Sequence, residues 1–290
     1  MAMINPVVVI AAEIIMKVDS QILMPYIDTP ENSTVRVGTI NVGGLMGNVP
    51  YVEDILENID ILAIQEHWLY PESLIFLDSI HRDFQGWGRS CSELNLNSVW
   101  RRGKGGIGFI WRRQLDKDIE KLENVGNDRI IAIKITTSKG LVLFIVAVYL
   151  PSTNSSIVEF RNTLDAMVDV IGQFYDQGIV IVMGDFNCHI GKSGGPRSLD
   201  AVNNRGCDLA KMIERQCLIS VNSQELCAGS IGTYFAEGGS VQTTTDHILM
   251  RKDSVHLVKS CFVSDDHSQN LSYHLPIICC LDVSIGTKKT

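Results

Sequence analysis

Apolar stretches that end at single polar residues recur along the chain, and they predict buried β-strands. Residues 35–41, 59–66, 141–149 and 180–187 are rich in β-branched and apolar side chains, as the strands of a covered sheet are. The last stretch stops its apolar run at Gly184. We therefore predict that these strands form the centre of the fold.

Helical spacing appears between the strands. Ser156 and Glu159 form a capping box, and the apolar residues after it recur at helical intervals until Gly178, a natural C-terminal stop. Shorter helices are predicted at residues 51–58 and 208–215. This alternation of strands and helices predicts an α/β fold.

Further strands and a loop complete the pattern. Residues 129–137 and 141–149 predict a hairpin that turns at 138–140. Residues 67–102 contain no clear periodicity, and we expect them to be rich in loops. Additional strands are predicted at residues 105–111, 233–235, 245–250 and 277–281.

The two ends of the chain differ from the rest. Residues 25–33 are rich in Pro, Asp, Asn and Ser, as linkers are. We therefore expect residues 1–34 to form a peripheral N-terminal extension, residues 35–283 the domain, and residues 284–290 a tail. The apolar residues 3–16 are too few to span a bilayer, so no membrane partner is expected.

Composition and charge restrict the function only weakly. The formal net charge of -8 is not typical of nucleic-acid-binding domains, which are often basic. It does not exclude one, because an acidic metal site lowers the total charge while a local basic face binds the nucleic acid. Arg101, Arg102 and Lys104 beside Trp100 form a small basic cluster that is either such a face or an ordinary surface patch. The eight cysteines include no CxxC motif, which predicts reduced thiols and an intracellular protein.

Asp185 and Asn187 follow the central predicted strand and lie two residues apart. Positions i and i+2 of a strand share a face, so we expect both side chains to point to the same side. An Asp that removes a proton from water and an Asn that holds charge suit hydrolysis of a phosphate ester. The alternative is an ordinary strand-to-turn junction, where Gly, Asp and Asn are common.

Polar residues recur at the ends of the other apolar strands too. Strand ends that meet at one edge of a sheet form a cleft, and carboxylate and amide oxygens suit Mg²⁺ shared with a substrate phosphate. An Asp beside a His orients the imidazole and favours its charged form. The residues in such positions are Asn41, Glu66, Tyr149, Asp185, Asn187, Asp246 and His274.

The order of the segments INVGG, IQEHW, VYLPS, GDFN, TTDHIL and SYHLPI resembles the endonuclease/exonuclease/phosphatase superfamily. The sequence around these motifs is most similar to the apurinic-type endonuclease domain of non-LTR (LINE-type) retrotransposons. The resemblance covers residues 35–283. It implies a four-layer α/β/β/α sandwich of two mixed sheets flanked by helices. It also implies a Mg²⁺-dependent endonuclease (Mn²⁺ being an alternative ion) that nicks DNA, in the nucleus if it serves a retroelement.

The resemblance further implies roles for the residues at the strand ends. Glu66 corresponds to the principal metal ligand, and Asn41 to a second residue of the metal site. Asp185 resembles the base that activates water, with Asn187 as its partner.

Other roles concern the substrate phosphate. Tyr149 resembles the tyrosine that contacts the scissile phosphate or the leaving group. Asp246 resembles the residue that orients His274, which binds a phosphate oxygen. Thr233 lies where the family has a threonine near the DNA groove.

One position departs from the family pattern. The family usually has Ser-Asp-His before its last strand, whereas this chain has Ser272, Tyr273 and His274. A second Asp-His pair at residues 265–267 is not followed by Leu-Pro and the last strand, so we assign the role to His274. The lost carboxylate predicts weaker metal binding and an impaired nuclease.

Two alternatives to the nuclease remain open. The same site would serve a phosphatase of phosphoinositides or of small phosphate esters, because fold alone does not settle the substrate. The second alternative is that the chain is a decayed, non-catalytic copy that at most binds nucleic acid. Plasmid nicking with and without EDTA separates the nuclease from the decayed copy.

Overall fold

The computed structural model describes residues 34–91, 103–236 and 242–285. In chain order, the strands are β1 (Val35–Asn41), β2 (Ile61–Gln65), β3 (Phe84–Arg89), β4 (Ile107–Arg112), β5 (Ile119–Lys121), β6 (Ile130–Thr136), β7 (Val142–Tyr149), β8 (Ile179–Asp185), β9 (Leu218–Ser220), β10 (Cys227–Gly229), β11 (Tyr234–Phe235), β12 (Gln242–Thr243), β13 (Asp246–Arg251), β14 (Val258–Val263) and β15 (Ile277–Leu281). The α-helices are α1 (Leu45–Glu57), α2 (Ile157–Phe174) and α3 (Asn204–Arg215). Short 3₁₀ helices occupy Pro71–Asp78, Arg113–Asp118, Gly191–Gly194, Val221–Ser223 and Lys252–Leu257.

Two mixed sheets contain most of these strands. The first has the order β10-β14-β15-β1-β2-β4-β3, and the second has the order β5-β6-β7-β8-β13-β9. β1 and β2 run parallel in the first sheet, as β7 and β8 do in the second. In the second sheet Asp185 is paired with Tyr149 on one side and with Asp246 on the other. The register alone therefore brings three predicted site residues to one edge.

The main core lies between the two sheets. Val37 and Phe109 of the first sheet and Ile133 and Ile181 of the second are fully buried in one apolar cluster. Their positions alternate with residues that face the helices, as the two-residue period of a strand requires. This layer holds the strand ends of both sheets against each other.

Helices cover the outer faces of both sheets. α1 packs against the first sheet through Tyr51, Val52 and Ile55. α2 and α3 pack against the second sheet, where Phe160 and Leu209 join its outward-facing side chains. The layers are therefore α/β/β/α, and the predicted fold is confirmed.

Some predicted element boundaries were wrong. α1 begins at Leu45 rather than at residue 51 and contains Pro50, because its buried face on the sheet outweighs the lost hydrogen bond. α3 begins at Asn204, since the Asn203 side chain accepts a hydrogen bond from Gly206 N at 2.7 Å and caps the helix. One of the two bonds of the capping box predicted for α2 is present, since Ser156 Oγ accepts from Glu159 N at 3.1 Å, whereas the Glu159 carboxylate pairs with Arg129.

The region predicted to be loop-rich also contains structure. It includes the edge strand β3 and a 3₁₀ helix. Gly86 and Gly88 are atypical of strands and weaken the sequence signal for β3. Both are glycine because a side chain there would collide with Leu77 or with the neighbouring strand.

Several predictions lie outside the described residues. They concern the N-terminal extension up to residue 33, the tail from residue 286 onward, and Trp100, Arg101 and Arg102 of the basic cluster. No helix among the described residues has the length and apolar character needed to cross a membrane.

Candidate active site

Glu66 lies immediately after β2, and its backbone is left-handed, with φ of 56°. Its N–H donates to the carbonyl of Gly106 at 2.8 Å, and its own carbonyl accepts from Gly44 N at 2.9 Å. A non-glycine residue with positive φ is uncommon, and such strain persists only where surrounding contacts hold it. These contacts turn the Glu66 side chain away from the strand direction and toward the second sheet.

Three neutral donors hold the Glu66 carboxylate. Oε1 accepts from Asn41 Nδ2 at 3.0 Å and from the Tyr149 hydroxyl at 2.9 Å. Oε2 accepts from the indole Nε1 of Trp68 at 3.0 Å. The carboxylate remains partly exposed, so it can take up a cation from solvent.

Asn41 connects the two sheets. Its Nδ2 donates to Asp185 Oδ2 at 2.9 Å as well as to Glu66, and its Oδ1 accepts from Gly43 N at 3.0 Å. The predicted metal-site residue Asn41 thus orients both carboxylates through its NH₂ group. A buried amide with every polar atom engaged holds a fixed position.

Asp185 and Asn187 lie together, but not because they share a face of a strand. β8 ends at Asp185, and Asn187 has a left-handed φ of 49°. The turn brings Asn187 N to 2.8 Å from Asp185 Oδ1 and Asn187 Nδ2 to 3.1 Å from Oδ2. The geometric reasoning from strand alternation was therefore wrong, although the predicted pairing exists.

The buried position of Asp185 changes its acidity. Burial, and then the charge of Asp246, raises its pKa to about 7, against the opposing effects of His274 and of the hydrogen bond from Asn41. A carboxylate of this kind is suited to take a proton near neutral pH.

Asp246 and His274 form the second part of the site. His274 Nδ1 lies 2.9 Å from Asp246 Oδ2. Burial lowers the pKa of His274, but the charge and hydrogen bond of Asp246, with smaller contributions from Asp185 and Glu66, raise it to about 9. The imidazole is therefore cationic at neutral pH and suits contact with an anion.

Hydroxyl groups fix Asp246 in turn. Its Oδ2 also accepts from Thr233 Oγ1 at 2.7 Å and from Thr245 Oγ1 at 3.1 Å. Thr233 Oγ1 in turn accepts from the backbone N–H groups of residues 245 and 246. Thr233 is fully buried and thus orients Asp246.

The loop before β15 positions His274. Ser272 Oγ donates to the carbonyl of Asn41 at 2.6 Å and accepts from His274 N at 3.1 Å. The ring of Tyr234 lies 4.9 Å from the imidazole, centroid to centroid. Tyr273 is 52% exposed and meets Tyr234 edge-on at 6.4 Å, so its ring leaves the His274 hydrogen bond intact.

The alternative histidine lies elsewhere. His267 stacks on the ring of Tyr51 in α1 at 5.7 Å. The structure therefore pairs His274, and not His267, with Asp246.

Sequence reasoning missed two neighbours of the site. Trp68 holds Glu66, and the Arg129 guanidinium lies 5.3 Å from the ring centroid of Tyr149 while pairing with Glu159 at 3.1 Å. Trp68 stands two residues after the strand-end carboxylate, a spacing that offered a signal. The sequence offers no such signal for Arg129, because only the hairpin pairing brings it beside Tyr149.

The side chains fit a divalent cation. Side-chain atoms of Asp185, Asp246 and His274 lie within 4.8 Å of one another, and Asn41 Nδ2 joins Asp185 to the Glu66 carboxylate. Since His274 is cationic, the carboxylate oxygens are the atoms that would hold the ion. Asp246 Oδ1 is buried and has no hydrogen-bond partner within the described part of the chain. Buried carboxylate oxygens are normally paired, and a cation or an ordered water satisfies such an atom.

Comparisons with known proteins agree with this architecture. A family model described as the Endonuclease/Exonuclease/phosphatase family matches residues 38–274. No curated protein sequence matches the chain significantly.

Similar folds occur among solved structures. A variant of the 3′ phosphatase NExo from Neisseria, bound to a product DNA hairpin, superposes with a TM-score of 0.62 at 17% identity, covering 86% of this chain and 99% of that one. The endonuclease domain of TRAS1, a telomere-specific non-LTR retrotransposon, gives 0.63 at 16% identity, with 87% and 99% covered. The AP endonuclease LMAP from Leishmania major gives 0.66 at 13% identity, with 96% and 99% covered.

Proposed function

The chain belongs to the endonuclease/exonuclease/phosphatase family, and from that premise we propose that it is a Mg²⁺-dependent phosphodiesterase that nicks DNA as a retroelement endonuclease does. The observation that carries the proposal is the junction at Asn41, which joins Glu66 to Asp185 by hydrogen bonds of 3.0 and 2.9 Å. An ion-binding carboxylate and a base are thereby held together beside the cationic His274.

Each residue near the reacting phosphate has a role in this proposal. Glu66 holds the Mg²⁺ ion (or Mn²⁺), which when bound supplies positive charge to the phosphate. Asp185 takes the proton of the attacking water, and Asn187 fixes the carboxylate by its two hydrogen bonds. His274 binds a phosphate oxygen and stabilises the charge that develops there. The Tyr149 hydroxyl lies beside Glu66, where it reaches the phosphate or the leaving group.

Asp246 and Thr233 act through His274. Asp246 keeps the imidazole oriented and charged, and Thr233 keeps Asp246 oriented. A misplacement of about 1 Å at such a group can cost roughly 10²-fold in rate.

DNA as the substrate is supported by the proteins that share the fold. Among them are the endonuclease domain of a retrotransposon and an AP endonuclease. On this proposal the chain acts in the nucleus of its cell, where retroelement targets lie.

The test is nicking of supercoiled plasmid with Mg²⁺, with Mn²⁺ and with EDTA. We expect relaxed circles with either ion, none with EDTA, and none from Asp185→Asn. Binding of plasmid without any nicking would instead identify a decayed copy.

A phosphatase is the second candidate, because one protein of similar fold is a 3′ phosphatase bound to DNA. Release of inorganic phosphate from a 3′-phosphorylated hairpin and from inositol phosphates measures this activity. Phosphate release that is faster than plasmid nicking under the same conditions would favour it.

A further inference from the structure

An apolar groove of about 770 Å³ lies beside Glu66. Three exposed apolar side chains contribute to its lining: Met46 at 65%, Ile75 at 75% and Leu271 at 67% exposure. Grooves of this volume bind small molecules or parts of larger ones. Exposed apolar side chains gathered in one place mark an interaction site more often than scattered ones do.

Of the four segments that line the groove, the three other than Gly103 lie close in the chain to a residue of the candidate active site. Residues 43–48 follow Asn41 directly, and residues 67–79 follow Glu66. Leu271 precedes His274 by three residues. Trp68 of the groove donates its indole N–H to the Glu66 carboxylate at 3.0 Å, so the groove borders the site of the proposed phosphate chemistry.

The groove is built rigidly onto Glu66. Trp68 lines it, donates its indole N–H to Glu66, and has a left-handed φ of 56°. Its backbone N–H donates to Gly105 O at 2.9 Å, and a Cβ on Gly44 would lie 2.5 Å from its ring. Positive φ in a bulky residue is an outlier that surrounding contacts must enforce.

The other wall is also fixed. Buried Asn48 donates to Val42 O at 2.7 Å and accepts from Leu271 N at 2.8 Å. One amide thus ties the loop that carries Leu271 to the start of α1. A preformed groove costs little ordering when a ligand binds.

The charge of the lining restricts the occupant. Among the described residues that form it there is no Lys or Arg, and Glu72 is acidic. Both ring nitrogens of His67 are already engaged, Nδ1 as the acceptor from Leu69 N at 3.0 Å and Nε2 beside Arg89 O at 3.0 Å, so this side chain offers no free cationic group to the groove. The groove therefore disfavours a phosphate and accepts a neutral, largely apolar group.

We infer that this groove holds the nucleobase adjacent to the scissile phosphate of the DNA strand. The inference rests on the proposed function, because it places the phosphate itself at Glu66, Asp185 and His274. A nucleobase is neutral, flat and apolar on its faces, and it is bonded through its sugar to the phosphate. Contacts to base faces tolerate any sequence, since every base has the same kind of face.

The test compares two triple variants of exposed residues. One replaces Met46, Ile75 and Leu271 with Ala, and its matched control replaces the exposed Ile157, Val158 and Leu226, which lie outside the groove, with Ala. The probe is a duplex with an unpaired bubble at a single cleavage position, and 2-aminopurine, which is bright when unstacked, lies in the bubble beside that position, on either side in separate probes. Quenching of its fluorescence in EDTA reports stacking, and titration of protein gives the affinity.

We expect the groove variant to bind this probe about tenfold more weakly and to quench it less, because three apolar side chains no longer contact the base. The control variant keeps both. An abasic residue in place of 2-aminopurine should bind wild type and groove variant equally.

A base-free diester separates this inference from the proposed function. A duplex with abasic residues on both sides of the cleavage position should be nicked with Mg²⁺ equally by wild type and by the groove variant. Equal DNA affinity and equal quenching in the two proteins would overturn the groove assignment and leave nicking intact. If the groove variant lost hydrolysis of the base-free diester as well, the groove assignment would also be overturned. The three substitutions would then have disturbed Glu66 rather than a contact to a base. Absence of any hydrolysis by wild type would refute the proposed function, while the EDTA quenching still tests the groove.

Discussion

Glu66 and Asp246 are the two carboxylates that anchor opposite halves of the candidate site, and their surroundings differ in charge. The three donors to Glu66 are neutral groups, and the side chain is partly exposed. Asp246 is fully buried, and one of its partners is His274, whose pKa is raised to about 9.

The difference indicates how each half is balanced. A buried carboxylate is costly unless it is paired, and Asp246 has its counter-charge within the protein. Glu66 gains hydrogen bonds but no positive charge from these donors. On the proposed function the Glu66 half takes its cation from solution, whereas the His274 half supplies a cation of its own.

Asp185 belongs to both halves, so its replacement should have the largest effect. It accepts a hydrogen bond from Asn41, and burial together with the charge of Asp246 raises its pKa, while His274 opposes that rise. Asp185→Asn keeps the shape but removes the base, and we expect nicking to fall by ~10²-fold or more.

The measurement is the initial rate of plasmid nicking at saturating Mg²⁺. Asp208→Asn is the control, since it removes only one partner of a surface ion pair with Arg161. A rate within threefold of wild type for Asp185→Asn would remove this residue from the mechanism, although not from the fold.

His274→Ala tests the half that carries its own cation. Loss of a preorganised charge contact to the phosphate should lower the nicking rate by ~10²-fold. The Mg²⁺ concentration for half-maximal rate should stay unchanged, because Glu66 and its donors remain in place. A titration of rate against Mg²⁺ gives both quantities.

His267→Ala is the matched control for that variant. His267 stacks on Tyr51 away from the site, so nicking should change less than twofold. If His267→Ala were the slower variant, the other Asp-His pair would be the functional one.

Glu66→Gln tests the half that lacks an internal cation. The amide keeps the size but removes the charge, and we expect Mg²⁺ affinity to fall by about tenfold or more, as disturbed metal shells do. Calorimetry with Mg²⁺ measures this affinity, with Glu57→Gln on the exposed surface of α1 as the control. Equal Mg²⁺ affinity in wild type and Glu66→Gln would show that the ion does not bind at Glu66 and would assign it to the cluster of Asp185, Asp246 and His274.

The sequence predicted which residues meet but not how the backbone holds them. Strand ends carry Asn41, Tyr149 and Asp185 to one edge, and a two-residue period with parallel pairing is enough to foresee that. The left-handed conformations of Glu66 and Asn187 depend on long-range hydrogen bonds and on turns after the strands. Local pattern contains no signal for them.

Helix starts and the groove escaped prediction for the same kind of reason. Pro50 and Gly47 disfavour a helix locally, yet packing of α1 on the sheet overrides them. In the sequence Trp68 is not distinguished from any other aromatic residue, because its position depends on the contact of its ring with Gly44 and on the hydrogen bond of its backbone to Gly105.

Tyr273→Asp should produce the smallest effect, and it adds a negative charge next to His274 in the chain. Tyr273 precedes His274, is half-exposed, and rests edge-on against Tyr234. Restoring the family's carboxylate there should strengthen ion binding by the Coulomb energy of one exposed charge pair. We expect a lower Mg²⁺ midpoint and faster nicking at limiting Mg²⁺, by about fivefold for roughly 1 kcal/mol.

Tyr273→Asn separates this added charge from the loss of the ring. Its side chain matches Asp in size but is neutral, so its Mg²⁺ midpoint should equal that of wild type. If Asn and Asp raised the rate equally, the ring of Tyr273 rather than the missing carboxylate would limit the enzyme. If neither variant changed the midpoint, the half-exposed position would lie too far into solvent for its charge to reach the ion, since water screens such a charge. The family's carboxylate would then have no electrostatic role in this chain, and Glu66 would have to hold the ion with the help of Asn41 and Tyr149 alone.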